Sequence, residues 1–198
     1  MSCFLDTLKN RRSIYGLDKN ISISFDRVQQ IVEHCLKHTP SAFNSQSAKV
    51  VILFNTPHEF VWDAAKNILR NQMPAEAFSK TEQKLDTFRA GVGTLLFYDD
   101  LNIIRGLQSK FPLYEANFPI WAHQANGMLQ SNIWAALSEE GVGASLQHYN
   151  PLIDDAIMAE FDIDTAWSLI SQMPFGNPTS SPTEKDFVPV SERIRVFD

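Results

Sequence analysis

The stretch FPIWAHQANGMLQSNIWAALSEEG (118–141) constrains the fold more than any other. It has helical length and is apolar over more than one face, from Ile120 and Trp121 through Met128, Leu129, Ile133 and Leu137. An ordinary surface helix carries a single apolar stripe. One that is apolar all round must be central to its domain or covered by a partner subunit. It is not a membrane span, because no apolar run in the chain approaches the roughly 20 residues that cross a bilayer.

The elements around it alternate in character. SFDRVQQIVEHCLKH (24–38) places Val28, Ile31, Val32, Cys35 and Leu36 on one helical face, and Pro40 forbids its continuation. PHEFVWDAAKNILRN (57–71) is a second helix with Phe60, Val61, Ala64, Ile68 and Leu69 inward. A shorter amphipathic turn holds Phe4, Leu5 and Leu8, a polar helix runs from Glu76 to Arg89, and a short one spans LIDDAIMAEF (152–161). Val50–Phe54, GTLLFYDD (93–100) and WSLISQMPFG (167–176) read as buried strands, and GVGASLQHYNP (141–151) as strand or loop. In the tail, Val188, Val190, Ile194 and Val196 alternate as in a strand added to a sheet edge. Helices and strands mix without regular βαβ alternation, which predicts an α+β fold. At 198 residues and 44% hydrophobic content the chain is expected to form one domain over 1–198.

Net charge and cysteine content narrow the function classes. A formal charge of −6 argues against a nucleic-acid-binding surface. Cys3 and Cys35 are too few for a disulfide scaffold, and MSCFLDTLKNRRS lacks the order of a secretory signal. A cytoplasmic protein without membrane attachment is the expectation.

Several motifs carry chemistry, each with a plainer structural explanation beside it. Arg11, Arg12 and Ser13 can hold a phosphate through the planar guanidinium fork, or simply end a helix where cations meet its dipole. Arg193 and Arg195 share one strand face and suit an anion, or protect a sheet edge with charge. Ser41, Asn44, Ser45 and Gln46 form a polar cluster directly before the apolar Val50–Phe54, which by itself is an ordinary loop. Neither GVG (91–93 and 141–143) continues as G-x-G-x-x-G, so a Rossmann dinucleotide site is not expected. His34 and His38 have an i, i+4 spacing but no third ligand, and no metal site is expected. Asp99 and Asp100 end a strand, with an aspartate placed to cap the next helix.

The order of these motifs is more specific than any one of them. RRSIYG, then PSAFNSQ leading into a strand, then GVGASLQHYN, SLISQMPFG and the basic tail ERIR together resemble the flavin-dependent nitroreductase family, essentially end to end. Within it the chain looks similar to the short, fatty-acid-repression-mutant-like branch. The resemblance implies a central, mainly antiparallel sheet flanked by helices, in an intertwined homodimer with FMN at each of two interface sites. It places Arg11, Arg12 and Ser13 at the phosphate and ribityl chain, and Arg193 and Arg195 closing on the phosphate. Ser41, Ala42, Asn44 and Gln46 would reach the flavin from the neighbouring subunit. Leu146, Gln147 and His148 would line the ring with a backbone N–H near N5. Tyr15 stands where relatives often carry a base, with Lys84 as a substitute cation. The implied activity is two-electron, ping-pong reduction of nitroaromatics or quinones, with NAD(P)H as transient donor and no side-chain general base. The alternative is a flavin-binding regulatory or lipid-responsive module with little turnover.

Overall fold

A computed structural model describes residues 4–198. At its centre lies β3 (Gly93–Asp100), buried from Gly93 to Asp99. Successive side chains of a strand point to opposite faces. Leu95 and Phe97 therefore enter one core with Met173 and Phe175, while Leu96 and Tyr98 enter a second with Leu169. β2 (Ala48–Phe54) and β5 (Trp167–Pro178) flank β3 antiparallel. β1 (Leu17–Asp18) and β4 (Gly143–Ala144) both pair with β5. The resulting sheet has the order β1-β5-β3-β2, with β4 also on β5. This is the α+β, mainly antiparallel architecture that the chain predicts.

α2 (Phe25–His38) and α6 (Phe118–Glu139) cover the first face. Ser24 caps α2 by accepting the Arg27 N–H at 3.1 Å, and Val28, Ile31, Val32 and Cys35 are buried as their spacing requires. Cys35 is a free thiol; Cys3 lies outside the described residues. α6 is fixed to β3 by Asn126, whose amide donates to Tyr98 O and to Asp99 Oδ1, both at 3.0 Å, and accepts from Gln130 at 2.7 Å. Its C-terminus closes on Gly141 (φ +76), which lets the Val142 N–H reach Leu137 O at 2.9 Å. The described residues leave one side of this helix open: Ile120 is 57% and Met128 43% exposed.

α3 (Thr56–Gln72), α4 (Ala75–Arg89) and α7 (Asp154–Phe161) cover the second face. The buried side of α3 is rotated from the expected one, with His58, Val61, Trp62 and Ala65 inside and Phe60, Ala64, Ile68 and Leu69 half-buried. Hydrogen bonding accounts for this. The Trp62 indole donates to Thr94 Oγ1 at 3.0 Å, and His58 Nδ1 lies 2.7 Å from the same hydroxyl. His58 Nε2 lies 3.2 Å from Arg89 O, an acceptor only. A neutral ring protonated at Nε2 satisfies every partner: it donates to Arg89 O and accepts from Thr94.

Two strand expectations are corrected. Of Val50–Phe54 only Leu53 is buried, because β2 is the edge of the sheet. The tail from 179 forms no strand. A short 3₁₀ turn at Val190–Glu192 is its regular element, and Val190 and Val196 are largely exposed. Pro189 lacks the N–H that a ladder would need there. Asp100 does cap α5 (Leu101–Lys110), accepting from Asn102 N–H at 3.0 Å and Ile103 N–H at 3.3 Å.

Gly93 starts β3 in contact with its neighbours. An added Cβ would lie 2.3 Å from the Phe175 ring and 2.8 Å from Leu53 O. Gly93→Ala is expected to cost about 2 kcal/mol through overpacking, read as a lower urea midpoint at an unchanged slope.

Candidate functional site

The last helical bond of α1 (Phe4–Asn10) runs from the Arg11 N–H to Thr7 O at 2.9 Å, so both arginines follow directly on the end of the helix. The Arg11 guanidinium stacks on Trp134 of α6, its carbon 4.1 Å from the ring centre. Arg12 donates to Thr183 O in the tail. Neither arginine forms an ion pair among the described residues. Burial and the neighbouring Arg12 charge pull the Arg11 pKa below its usual value. Both line a cleft of about 760 Å³ between residues 8–12 and Pro182, Glu184, Lys185, Asp186 and Phe187 of the tail.

Ser13 bridges in parallel to Ala144, with the Ile14 N–H donating to Ala144 O at 2.9 Å. This joins the RRS segment to the chain leading into Leu146, Gln147 and His148. That chain continues as a single bridge to β5: Gln147 N–H donates to Gln172 O at 2.7 Å and Gln172 N–H returns to Gln147 O at 2.9 Å. The Gln172 side chain accepts the Tyr149 N–H at 2.7 Å and donates to Asn150 at 3.3 Å. The Gln147 N–H is thus spent, and its buried amide donates to Ser145 at 3.1 Å. The Leu146 and His148 N–H groups donate to no protein acceptor among the described residues. Tyr15 is half exposed, 6.3 Å from the Phe88 ring, and Lys84 Nζ lies 5.6 Å from that same ring.

The second cluster lies elsewhere. Between α2 and β2 the chain turns through Ala42–Asn44, with Phe43, Asn44 and Gln46 at φ of 56°, 49° and 51°. Left-handed backbone is unfavourable for a bulky residue such as Phe43. The turn is held by Ser41, whose hydroxyl accepts the Gln46 N–H at 3.0 Å. It is also held by Phe43, which packs on Phe111, Tyr114, Phe118 and Trp121 at ring distances of 4.9, 6.0, 5.4 and 6.1 Å. An apolar groove of about 370 Å³ runs beside it, lined by Pro40–Phe43, Trp121, Gln124, Ala125 and Met128.

Within one chain these clusters are apart. Phe43 meets α6 at Trp121 and Arg11 meets it at Trp134, on the order of 20 Å apart along the helix axis. Arg193 closes the 3₁₀ turn of the tail and Arg195 follows it, both exposed, and neither lines the cleft at Arg11. His34 and His38 lie with tilted rings 4.5 Å apart on the exposed side of α2; no group of three His, Cys, Asp or Glu gathers for a metal among the described residues. Trp134 and the aromatic partners of Phe43 are additions to the residues predicted from sequence. That Trp121 and Trp134 lie on one helix is legible there, but not which loop each meets.

A sequence profile of the nitroreductase family matches residues 8–177. Nitroreductase FRM2 of Saccharomyces cerevisiae is 36% identical over 187 residues, 93% of each chain. Among solved structures, nitroreductase CinD from Lactococcus lactis superimposes with a TM-score of 0.91 at 36% identity, over 99% of this chain and 100% of CinD. It has been solved with chloramphenicol and with 4-nitrophenol. A Desulfovibrio desulfuricans structure in complex with FMN shares the fold at 16% identity and a TM-score of 0.71, covering 100% of this chain and 98% of its own. Motif order, sheet topology and these likenesses over the length of the chain agree: it belongs to the nitroreductase family.

Proposed function

We propose that this chain is an FMN-dependent reductase that oxidises NAD(P)H and reduces nitroaromatics, quinones or similar acceptors. The observation that carries the reading is the Arg11–Arg12 pair: two adjacent cations that make no ion pair among the described residues, one stacked and half-buried, facing a cleft. Like charges held together in this way are relieved by a dianion such as the flavin phosphate. The donor set thus fits FMN.

In this reading residues 1–198 form one FMN-binding domain. Arg11, Arg12 and Ser13 hold the phosphate and ribityl chain, and Arg193 and Arg195 supply further charge from the tail. The Leu146 and His148 N–H groups are the backbone donors left for the flavin ring. When bound, FMN supplies two-electron hydride chemistry between NAD(P)H and the acceptor. Ser41, Ala42, Asn44 and Gln46 serve the flavin of a second copy, because their own chain holds them far from Arg11. The exposed side of α6, with Ile120 and Met128, gives that homodimer an apolar surface to bury. Phe43 and Trp121 border a groove suited to flat acceptors, the class to which CinD's 4-nitrophenol belongs.

The test is spectroscopic. Protein reconstituted with FMN is expected to absorb near the flavin band at about 450 nm, to bleach with NADH or NADPH, and to regain colour when 4-nitrophenol or a quinone is added. Protein that takes up no FMN overturns the reading. Bound FMN that neither nucleotide bleaches favours a regulatory flavin-binding module instead.

A further inference from the structure

We propose that Trp134 is a positioning residue for the flavin phosphate: its ring sets the plane of the Arg11 guanidinium and thereby this chain's preference for FMN over riboflavin. The inference rests on the FMN reading above and adds to it a residue that makes no phosphate contact of its own.

The two arginines are held differently. Arg12 spends a donor on Thr183 O. Arg11 has its guanidinium carbon 4.1 Å from the centre of the Trp134 ring and no hydrogen bond from its side chain to protein among the described residues. A guanidinium is weakly hydrated on its faces and carries its five donors around its rim. Stacking therefore orients the group without consuming any donor. An arginine free in solution loses much rotamer freedom on meeting a ligand; one stacked beforehand has already lost it, which is preorganisation.

The surface beneath Arg11 is itself anchored. Trp134 is half-buried against the first core, on a helix tied to β3 through Asn126. The backbone at Arg11 is tied through Thr7 on one side and, past Ser13, through Ala144 on the other. Burial and the charge of Arg12 work against Arg11 in the absence of an anion, so the attraction of the ring also offsets part of the cost of keeping the cation in place.

Flavin-free protein is titrated with FMN and with riboflavin, following flavin fluorescence, for the parent, Trp134→Phe, Trp134→Leu and Arg11→Ala. The parent is expected to prefer FMN. Trp134→Leu is expected to reduce that preference about five- to tenfold through weaker FMN binding, between the sizes of an exposed and a desolvated cation–π contact, with riboflavin affinity unchanged. Trp134→Phe, which keeps an aromatic face, retains most of the preference. If Trp134→Leu does not fold, Trp134→Met serves as the non-aromatic variant. Full FMN preference in the non-aromatic variant, with Arg11→Ala losing it, overturns the role of Trp134 and leaves the phosphate reading intact. Equal weakening of FMN and riboflavin, or equal losses in the Phe and Leu variants, also overturns it. A parent that does not distinguish the two flavins, or an Arg11→Ala that keeps the preference, overturns both.

Discussion

Replacing Arg11 with alanine is expected to weaken FMN about a hundredfold while leaving the unfolding midpoint of the flavin-free protein close to the parent's. The two parts have different origins. A guanidinium that gives two charge-assisted hydrogen bonds to a phosphate contributes about 3 kcal/mol, which is about a hundredfold in affinity. In flavin-free protein the same side chain has one favourable partner among the described residues, Trp134, and two opposing influences, burial and the Arg12 charge. Removing it takes away attraction and repulsion together, so stability changes little. An arginine that only ended α1 would show the reverse, a small loss of stability and no change in flavin affinity. Flavin fluorescence titration and urea unfolding of one preparation separate the two.

The second large effect is in acid. His58 is buried, and burial depresses its pKa from the usual 6.5 to about 4. The unfolded chain takes up this proton near pH 6.5 and the folded chain only near pH 4. Stability is therefore complete above pH 6.5 and is lost as pH falls from there toward 4, by about 3 kcal/mol in all. The shifted carboxylates act lower or in the opposite sense. Glu59, held below its usual 4.5 by the Lys19 hydrogen bond, adds its own loss only as pH falls below 4.5. Asp99, raised by burial, gains stability on protonation. Comparing the parent with His58→Gln at each pH isolates the histidine. The variant is expected to be less stable at pH 7, where it loses a fitted hydrogen-bond pair, and to have a flatter profile between pH 6.5 and 4.5. A parent profile as flat as the variant's would show that His58 does not carry the acid sensitivity.

The elements whose pattern is local were legible in the chain. α2 shows its buried stripe residue by residue, and β3, apolar on both faces, announces a central strand. The rotation of α3 was not legible, because it depends on a hydroxyl at Thr94 that receives Trp62 and contacts His58 across the core. The tail misled for a different reason. Val188 to Val196 alternate as a strand does, yet Pro189 lies in the run and alternation alone cannot place a segment beside a partner strand. At the candidate site the motifs indicated which residues to consider, and the structure adds how they are presented. Gln147 turns its amide inward and spends its N–H on Gln172, while Phe43 takes a backbone conformation that no motif encodes. Arg11 depends on Trp134, a residue far along the chain, for its orientation.

Asn126 holds α6 to the C-terminal end of β3 at a single level, with one amide group bonded to both Tyr98 and Asp99. Trp121 and Trp134 stand on either side of that anchor, one meeting the strained turn at Phe43 and the other Arg11. A helix that slipped by one residue would turn by about 100° and carry both tryptophans away from their partners together. α6 thus works as a calliper between the two clusters, with Asn126 as its locking screw. A substitution at that one amide would change the setting at both ends, although it touches neither.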